Sequence, residues 1–488
     1  MITNITYTYI TKLLLALIIL LQGGSSAQIS TRWITPVQIP NYQDTARAPL
    51  LVPDNQGSVH VFNYESVGQF NNAIIYRRWN PEEGWTTPND ILLVGLGGGP
   101  QTLQAVFLDS NDFFHVIYYF GTDEDGDIFY TSAPRKTADR ATAWSTPIVI
   151  GDNAGPLPFA ALTQDINGIM YVFFISKVDG IGLYMVNSED SGVSWSQPLA
   201  MTIVSQENRW PAAIQAMSDA NGGVHVVWSI VSDLGVGEEI HYGRLNPAKN
   251  ALEKDTILAR REGMDYSATW PALVDDGSQL LLVYQDSFPA TRFMRVSKDY
   301  GDTWSFPIKP FPFIGEYEFT AISKDSNNNL HMVMGNRTEN PEIHGMWYSR
   351  WLGNRWSSLE PITSGPATAV YDPSAPQAVV TQGNILFAAW WHNVRNDNLS
   401  GAWYSYRLLD APALLSTPDT DETKPSEINL VPDDGNPTIN PTSEPLFVAT
   451  PSLSPMEKAY SPAFPIYIAL LPVIILMALF YFLKFHRR

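Results

Sequence analysis

The chain has 488 residues, 45% hydrophobic and 12% aromatic, enough to fill a large core, and it contains no cysteine. Its 49 acidic and 30 basic residues give a formal charge of −19, which excludes a nucleic-acid partner, because such partners need a basic stripe. Without cysteine there are no disulfides, no thiolate nucleophile and no Cys-ligated metal, so the fold must hold through its core alone.

Residues 1–27 read as a signal peptide. Lys12 precedes the apolar run at 13–21, and Ser25-Ser26-Ala27 offers small residues for cleavage. The run is too short to span a bilayer.

From 28 to 411 the chain repeats, with a period that suits propeller blades. A Trp-x-x-Pro signature of an outer strand recurs at Trp33, Trp85, Trp144, Trp195 and Trp304, with a longer variant from Trp356 to Pro361. The spacings are 52, 59, 51, 109 and 52 residues. The gap of 109 holds two units, with Ala251 to Leu258 as the outer strand of a degenerate blade. Three apolar stretches bounded by Asp, Asn and Gly turns precede each signature, as in Gly223-Val224-His225-Val226-Val227-Trp228 and Ile240-His241-Tyr242. Seven such trios predict an all-β propeller of about seven four-stranded blades, six being the alternative. The last trio, ending at Tyr404, has no outer strand after it, and the strand at Trp33 has no trio before it. The N-terminal strand therefore closes the ring by pairing into the last blade, which removes two sheet edges.

Residues 412–461 are rich in proline and acidic residues and poor in large apolar ones, which predicts a disordered stalk. Residues 463–483 carry no charge, and Lys484, Arg487 and Arg488 follow. A transmembrane helix at 462–483 with a cytoplasmic tail at 484–488 is expected, which makes the chain a single-pass type I protein with its propeller outside the cell.

Two units contain S-x-D-x-G-x-[ST]-W. The first holds Ser188, Asp190, Gly192 and Trp195, and the second Ser297, Asp299, Gly301 and Trp304. Asp and Gly suit a tight turn between the third and fourth strands, with Trp packed beneath. These segments resemble the Asp-box repeat of the sialidase superfamily, and the resemblance spans roughly residues 31 to 410. The superfamily's sialidases resemble six-bladed propellers, whereas seven units are counted here. Their Asp boxes stabilise turns opposite the ligand face.

The default ligand face is the one where first strands start and second strands end. It gathers Arg47, Arg209 and the aromatic candidates Trp210, Trp228, Trp270, Tyr284 and Trp390, with His392, whose flat rings can stack on sugars. The resemblance implies an arginine triad for a substrate carboxylate, a Tyr nucleophile activated by Glu, and an Asp acid/base. Arg47-Ala48-Pro49 looks like the family's Arg-x-Pro motif, Arg209 and Arg337 supply the further arginines, Tyr371 the nucleophile, and Glu238, Glu207 or Glu239 its partner. No single Asp stands out as the acid. His60, His115, His225 and His331 share one repeat position, which spreads them around the ring and points to packing, not to a metal. No cofactor motif is present. The expected partner is a carbohydrate or a cell-surface protein. The two functional expectations are a sialidase-type exo-glycosidase and a non-catalytic glycan- or protein-binding propeller.

Overall fold

The computed structural model describes residues 32–414 except 43–48, 68–70, 95–102, 122–125, 155–158, 207, 264–266, 287–290, 312–314, 340–341, 367–371 and 393–400. The signal peptide, the membrane helix and all of the stalk beyond residue 414 expected from the sequence lie outside the described residues, among which no helix is long and apolar enough to cross a membrane.

Seven antiparallel sheets form the propeller. Their first strands are Leu50–Pro53, Leu103–Leu108, Ala160–Gln164, Arg209–Ser218, Thr269–Asp275, Gly315–Lys324 and Pro373–Thr381, in blades 1 to 7. Each of these pairs with a second strand, and that with a third, in sequence order. In blades 2 and 3 the Trp-x-x-Pro segments form the approach to the fourth strands: Ile148–Ala154 follows Pro147, and Leu199–Ile203 follows Pro198. In blade 1 Trp85 already pairs with Trp79, and in blade 6 Pro361 lies within the fourth strand Glu360–Pro366. Proline lacks the N–H a central ladder needs, which suits it to these edge strands. In blade 5 the fourth edge is reduced to a bridge between Met294 and Ile308. The degenerate blade 4 has a full fourth strand, Ala251–Arg260.

The ring closes as the sequence predicts. Val37 pairs with Tyr404 and Gln38 with Trp403, while Ile34 N donates to Tyr406 O at 3.0 Å and Ile39 N to Ala402 O at 2.8 Å.

The core is divided among the blade interfaces. Successive residues of a second strand point to opposite faces of its sheet, and each sheet here has a neighbour on both sides. Val116 therefore packs with blade 1 and Ile117 with blade 3. Val226 faces blade 3 and Val227 blade 5. This explains why second strands read as unbroken apolar runs. In blades 1, 3, 5 and 7 the tryptophan before the fourth strand packs on the third strand of the preceding blade: Trp195 on Tyr130 at 5.0 Å between ring centroids, Trp304 on Tyr242 at 5.1 Å, Trp33 on Tyr348 at 5.6 Å and Trp85 on Tyr404 at 5.1 Å.

The lower face, where first strands turn into second and third into fourth, is built from two repeated devices. In the first, an Asp ends the first strand and caps two backbone N–H groups of the turn; Asp219 Oδ1 accepts from Asn221 N at 2.7 Å and Gly223 N at 2.9 Å. Its other oxygen meets the repeated histidine, whose far nitrogen meets a tyrosine. His225 lies 2.8 Å from Asp219 and 2.7 Å from Tyr242, and His60, His115 and His331 repeat the arrangement with Tyr76, Tyr130 and Tyr348, each at 2.8 Å. Burial holds all four imidazoles below their usual pKa, with the Asp partners pulling the other way. A neutral ring thus accepts the tyrosine hydroxyl at Nδ1 and donates Nε2–H to Asp in blades 1, 4 and 6, while in blade 2 His115 Nε2 lies 3.3 Å from Asp109 without the alignment of a hydrogen bond.

The second device is the S-x-D-x-G turn. Ser188 Oγ donates to Asp190 Oδ1 at 2.9 Å and accepts Gly192 N at 2.8 Å, and Asp190 accepts Ser194 N at 2.8 Å and Ser194 Oγ at 2.5 Å. Blade 5 repeats this around Asp299, whose hydrogen bonds from Thr303 and Ser297 lower its pKa to about 2.

Candidate functional site on the upper face

In a repeat fold, a polar group at the repeat position is explained by the fold, and one off that position needs another reason. Three described histidines stand off it: His241, His344 and His392. His344 lies near a third-strand start and His392 at a second-strand end, toward the upper face, and His241 lies midway along the third strand of blade 4.

One of them, His344, meets a carboxylate across blades 6 and 7, and a second, His392, feels its charge. Strands Leu330–Glu339 and Glu342–Arg350 place Arg337 directly opposite His344, close enough for their side chains to share a neighbour. Asp372 immediately precedes the first strand of blade 7, whose Pro373 pairs with His392. Arg337 Nη2 donates to Asp372 Oδ1 at 2.7 Å, and His344 Nδ1 lies 3.0 Å from the same oxygen without the alignment of a hydrogen bond. His344 is buried, and neither ring nitrogen has an aligned hydrogen-bond partner among the described residues. Burial lowers His392 to about 4, against the opposing charge of Asp372, and its ring lies edge-on to Trp403 at 5.7 Å. The arrangement offers a neutral imidazole, a second imidazole with unused hydrogen-bonding capacity, and a guanidinium–carboxylate pair.

Beside this cluster runs the axis. A cavity of about 170 Å³ is lined by first-strand residues of blades 4 to 7, among them Gln215, Thr320 and Gln377. Three of those strands carry a bulge with a residue at positive φ: Ala213 at 48°, Trp270 at 53° and Ala375 at 49°. A bulge re-aims the side chain it carries. Trp270 reaches Phe159, two blades away, at 6.1 Å between ring centroids, which sets both rings on the axial side. Trp210, half-buried like Trp270, is the second residue of the first strand of blade 4.

Blade 4 holds a closed ion network. Arg209 Nε lies 2.5 Å from Glu238 and Arg261 Nη2 3.1 Å from the same residue; His241 lies 2.9 Å from Glu239 and 2.8 Å from Asp255. Burial opposes the charge of His241, but the bonds to Asp255 and Glu239 outweigh it and raise its pKa. In blade 1, Arg77 is buried, bonded to Glu65 at 2.7 Å and stacked over Tyr42 at 4.9 Å.

Among the residues expected from the sequence, Arg47, Tyr371 and Glu207 lie outside the described residues. Arg209 and Arg337 stand two blades apart, each already bonded to a carboxylate. Glu238 is held by two arginines of its own blade. Removing one member of such a part-buried pair leaves a charge uncompensated, so a ligand carboxylate would have to displace Glu238 to reach Arg209. The aromatic set divides as well. Trp228, Tyr284 and Trp390 are corrected to core residues, at 0%, 2% and 0% exposure, because second-strand ends are wedged between blades. Trp210 and Trp270 remain half-buried at the face, whereas His392, at 3% exposure, is corrected to a buried residue. His344 and Asp372 were missed; the signal for His344 was its place outside the repeat.

No family model matches the chain, and no curated protein does. Solved structures do. An ulvan lyase of polysaccharide lyase family PL25, bound to -[GlcA(1-4)Rha3S]-, is 12% identical, with 78% of this chain and 97% of that one covered and a TM-score of 0.51. A second polysaccharide lyase is 10% identical over 79% and 94% of the two chains, with a TM-score of 0.48. A Hadza microbial sialidase is 11% identical over 69% and 74%, with a TM-score of 0.43. The first likeness shows a shared propeller fold.

Proposed function

We propose that the chain is a carbohydrate-acting propeller that takes an acidic glycan at the upper face, over blades 6 and 7 and the mouth of the axis. The observation that carries this reading is the meeting of His344 and Arg337 at Asp372, off the repeat, with His392 within reach of its charge, on the face that also holds the half-buried Trp210 and Trp270. Aromatic faces suit sugar rings, the guanidinium suits a carboxylate or sulfate, and paired imidazoles can pass a proton at a glycosidic oxygen. The lyase and sialidase neighbours support a carbohydrate as the ligand. Both ends of the described propeller leave by the lower face: Ile34 pairs at the lower end of its strand, and Leu414 N donates to Gln382 O at 2.8 Å. The upper face is thus clear of them. Cell-surface display through an apolar helix at 462–483 is part of the proposal.

The test is incubation with sialosides and with uronate-containing polysaccharides, following both released sialic acid and new chain ends. Cleavage of either class, lost in His392→Gln and His344→Gln variants that keep a cooperative thermal transition, is expected. Absence of both cleavage and binding across the panel would overturn the reading. Binding without cleavage is the second reading. The engagement of Arg209 by Glu238 favours it over sialoside hydrolysis, because the arginine triad is not assembled among the described residues.

A further inference from the structure

His241 stands off the repeat with both ring nitrogens bonded to carboxylates. Its Nε2 lies 2.9 Å from Glu239 Oε2 and its Nδ1 2.8 Å from Asp255 Oδ1, both aligned as hydrogen bonds. A neutral imidazole carries one N–H and can donate to only one of them, so the two bonds exist together only in the imidazolium. His241 also pairs in register with Trp228, and its ring stacks on that buried indole at 5.2 Å between centroids and 26° between planes. An indole face attracts a cation. Two carboxylates at the ring edge and an aromatic face beneath it thus form a seat for a protonated ring. Burial opposes the charge, and the bonds to Asp255 and Glu239 outweigh it.

The two carboxylates are committed differently. Asp255, on the fourth strand of blade 4, accepts Thr202 Oγ1 of blade 3 at its other oxygen, at 3.2 Å, and forms no ion pair with an arginine among the described residues. Glu239 is contested. Its other oxygen lies 3.4 Å from Arg260 Nε and 3.9 Å from Arg209 Nη1. Arg209 is held at Nε by Glu238, which Arg261 also meets at 3.1 Å. The charged groups tied to the ring therefore come from three strands and the residue after the last: Arg209 on the first, Glu238 and Glu239 on the third, Asp255 and Arg260 on the fourth, and Arg261 just past it.

We infer that His241 is a proton-operated switch that shares Glu239 with Arg209. With the ring protonated, Glu239 is held at Nε2 and Arg209 is left chiefly to Glu238. When the proton leaves, the remaining N–H stays with Asp255, which has no arginine to turn to, and the bare Nε2 lone pair faces Glu239. That contact is repulsive, so Glu239 moves toward Arg209 and Arg260. Arg209 directly precedes Trp210, so a proton midway along the third strand sets how tightly the cation beside that indole is held. The switch stands on blade 4 alone and does not depend on the glycan reading of blades 6 and 7.

The test is the NMR titration of the His241 ring in the full-length protein, assigned by its contact with Trp228 and by its absence in His241→Gln. The wild-type midpoint is expected above roughly 6.5, the value of a free imidazole. Asp255→Asn and Glu239→Gln should each lower it by about one pH unit, as for a lost opposite charge at bonding distance. Arg209→Gln removes the competitor for Glu239 and should raise the midpoint by more than Arg261→Gln does, which deletes the same charge from the Glu238 side. The wild-type midpoint needs no folded variant, so a misfolded substitution cannot obscure it. A wild-type midpoint at or below 6.5 would overturn the switch, and so would equal responses to Arg209→Gln and Arg261→Gln, which would leave Glu239 unshared.

Discussion

The two faces of the ring are built on different rules. The lower face repeats: an Asp–His–Tyr chain in blades 1, 2, 4 and 6, and a serine–aspartate–glycine turn in blades 3 and 5. Each device reaches into the next blade or braces the strand that does. Among its described residues the upper face shows a repeated backbone bulge but no repeated polar device. It holds a closed ion network in blade 4, a buried Arg–Glu pair in blade 1 and an imidazole pair across blades 6 and 7. The contrast teaches that regularity here marks what the ring needs to stay shut, while departure from it marks what the ring is free to use.

Ring closure is where the largest effect is expected. Removing residues 28–39 withdraws Trp33 from Tyr348 and the buried Ile39 from the interface of blades 7 and 1, and it exposes a sheet edge. Loss of most of the roughly 5–15 kcal/mol that holds a domain together is expected, seen as the disappearance of a cooperative thermal transition. A well-folded deletion variant would place closure elsewhere.

The lower-face turns come next. Gly192 has φ +88° and no room for a Cβ against Tyr130, whereas Gly353 has φ +84° and open space around it. Alanine at Gly353 bears only the cost of the left-handed backbone, about 1–2 kcal/mol. Alanine at Gly192 adds overpacking at a blade interface, for a total of about 3 kcal/mol or more. Chemical denaturation of the two variants measures the difference, and equal losses would remove the clamp role of the turn.

This part of the fold was legible because repetition amplifies weak signals. Trp195 and Trp304 mattered as members of a series, and their spacing revealed the degenerate blade and the orphan strand at Trp33. The aromatic candidates were less legible, since Trp228 and Trp210 look alike in sequence. Only the wedge shape of the blades buries one fully and leaves the other half-open. The upper-face cluster was least legible. Asp372 and His344 are 28 positions apart in sequence, and their meeting depends on how blade 7 abuts blade 6, which no local pattern encodes.

Acid should separate the faces more gently. Burial lowers the folded-state pKa of His60, His115, His225, His331 and His392. Below the unfolded value of about 6.5 the unfolded chain binds more protons than the folded one. Stability is therefore full above that pH and falls as pH drops toward the folded values. His241, with a raised pKa, contributes in the opposite sense: its stabilisation is present below about 6.5 and lost as pH rises through its folded value. With five groups against one, the melting temperature should fall steadily from pH 7 to pH 5. A flat profile would mean that the lower-face histidines are not held neutral.

The smallest effect on stability, and the sharpest on function, belongs to Arg337. Its bond to Asp372 joins side chains that are 39% and 26% exposed, so water screens the pair and its net contribution is about 0–1 kcal/mol. The Arg77–Glu65 pair, at 1% and 6% exposure, is the matching control. Replacing Arg77 with alanine strands a buried carboxylate at a cost of about 3–5 kcal/mol. Arg337→Ala should therefore melt within a few degrees of the wild type, while Arg77→Ala should melt far lower. If the upper face over blades 6 and 7 receives an acidic glycan, Arg337→Ala should also lose binding or cleavage by about tenfold or more, the size of a charged hydrogen bond. The salt dependence of what remains should flatten, because one cation facing the ligand is gone. A variant with unchanged stability and unchanged glycan response would show that Arg337 only tethers Asp372, and it would move the ligand site away from blades 6 and 7.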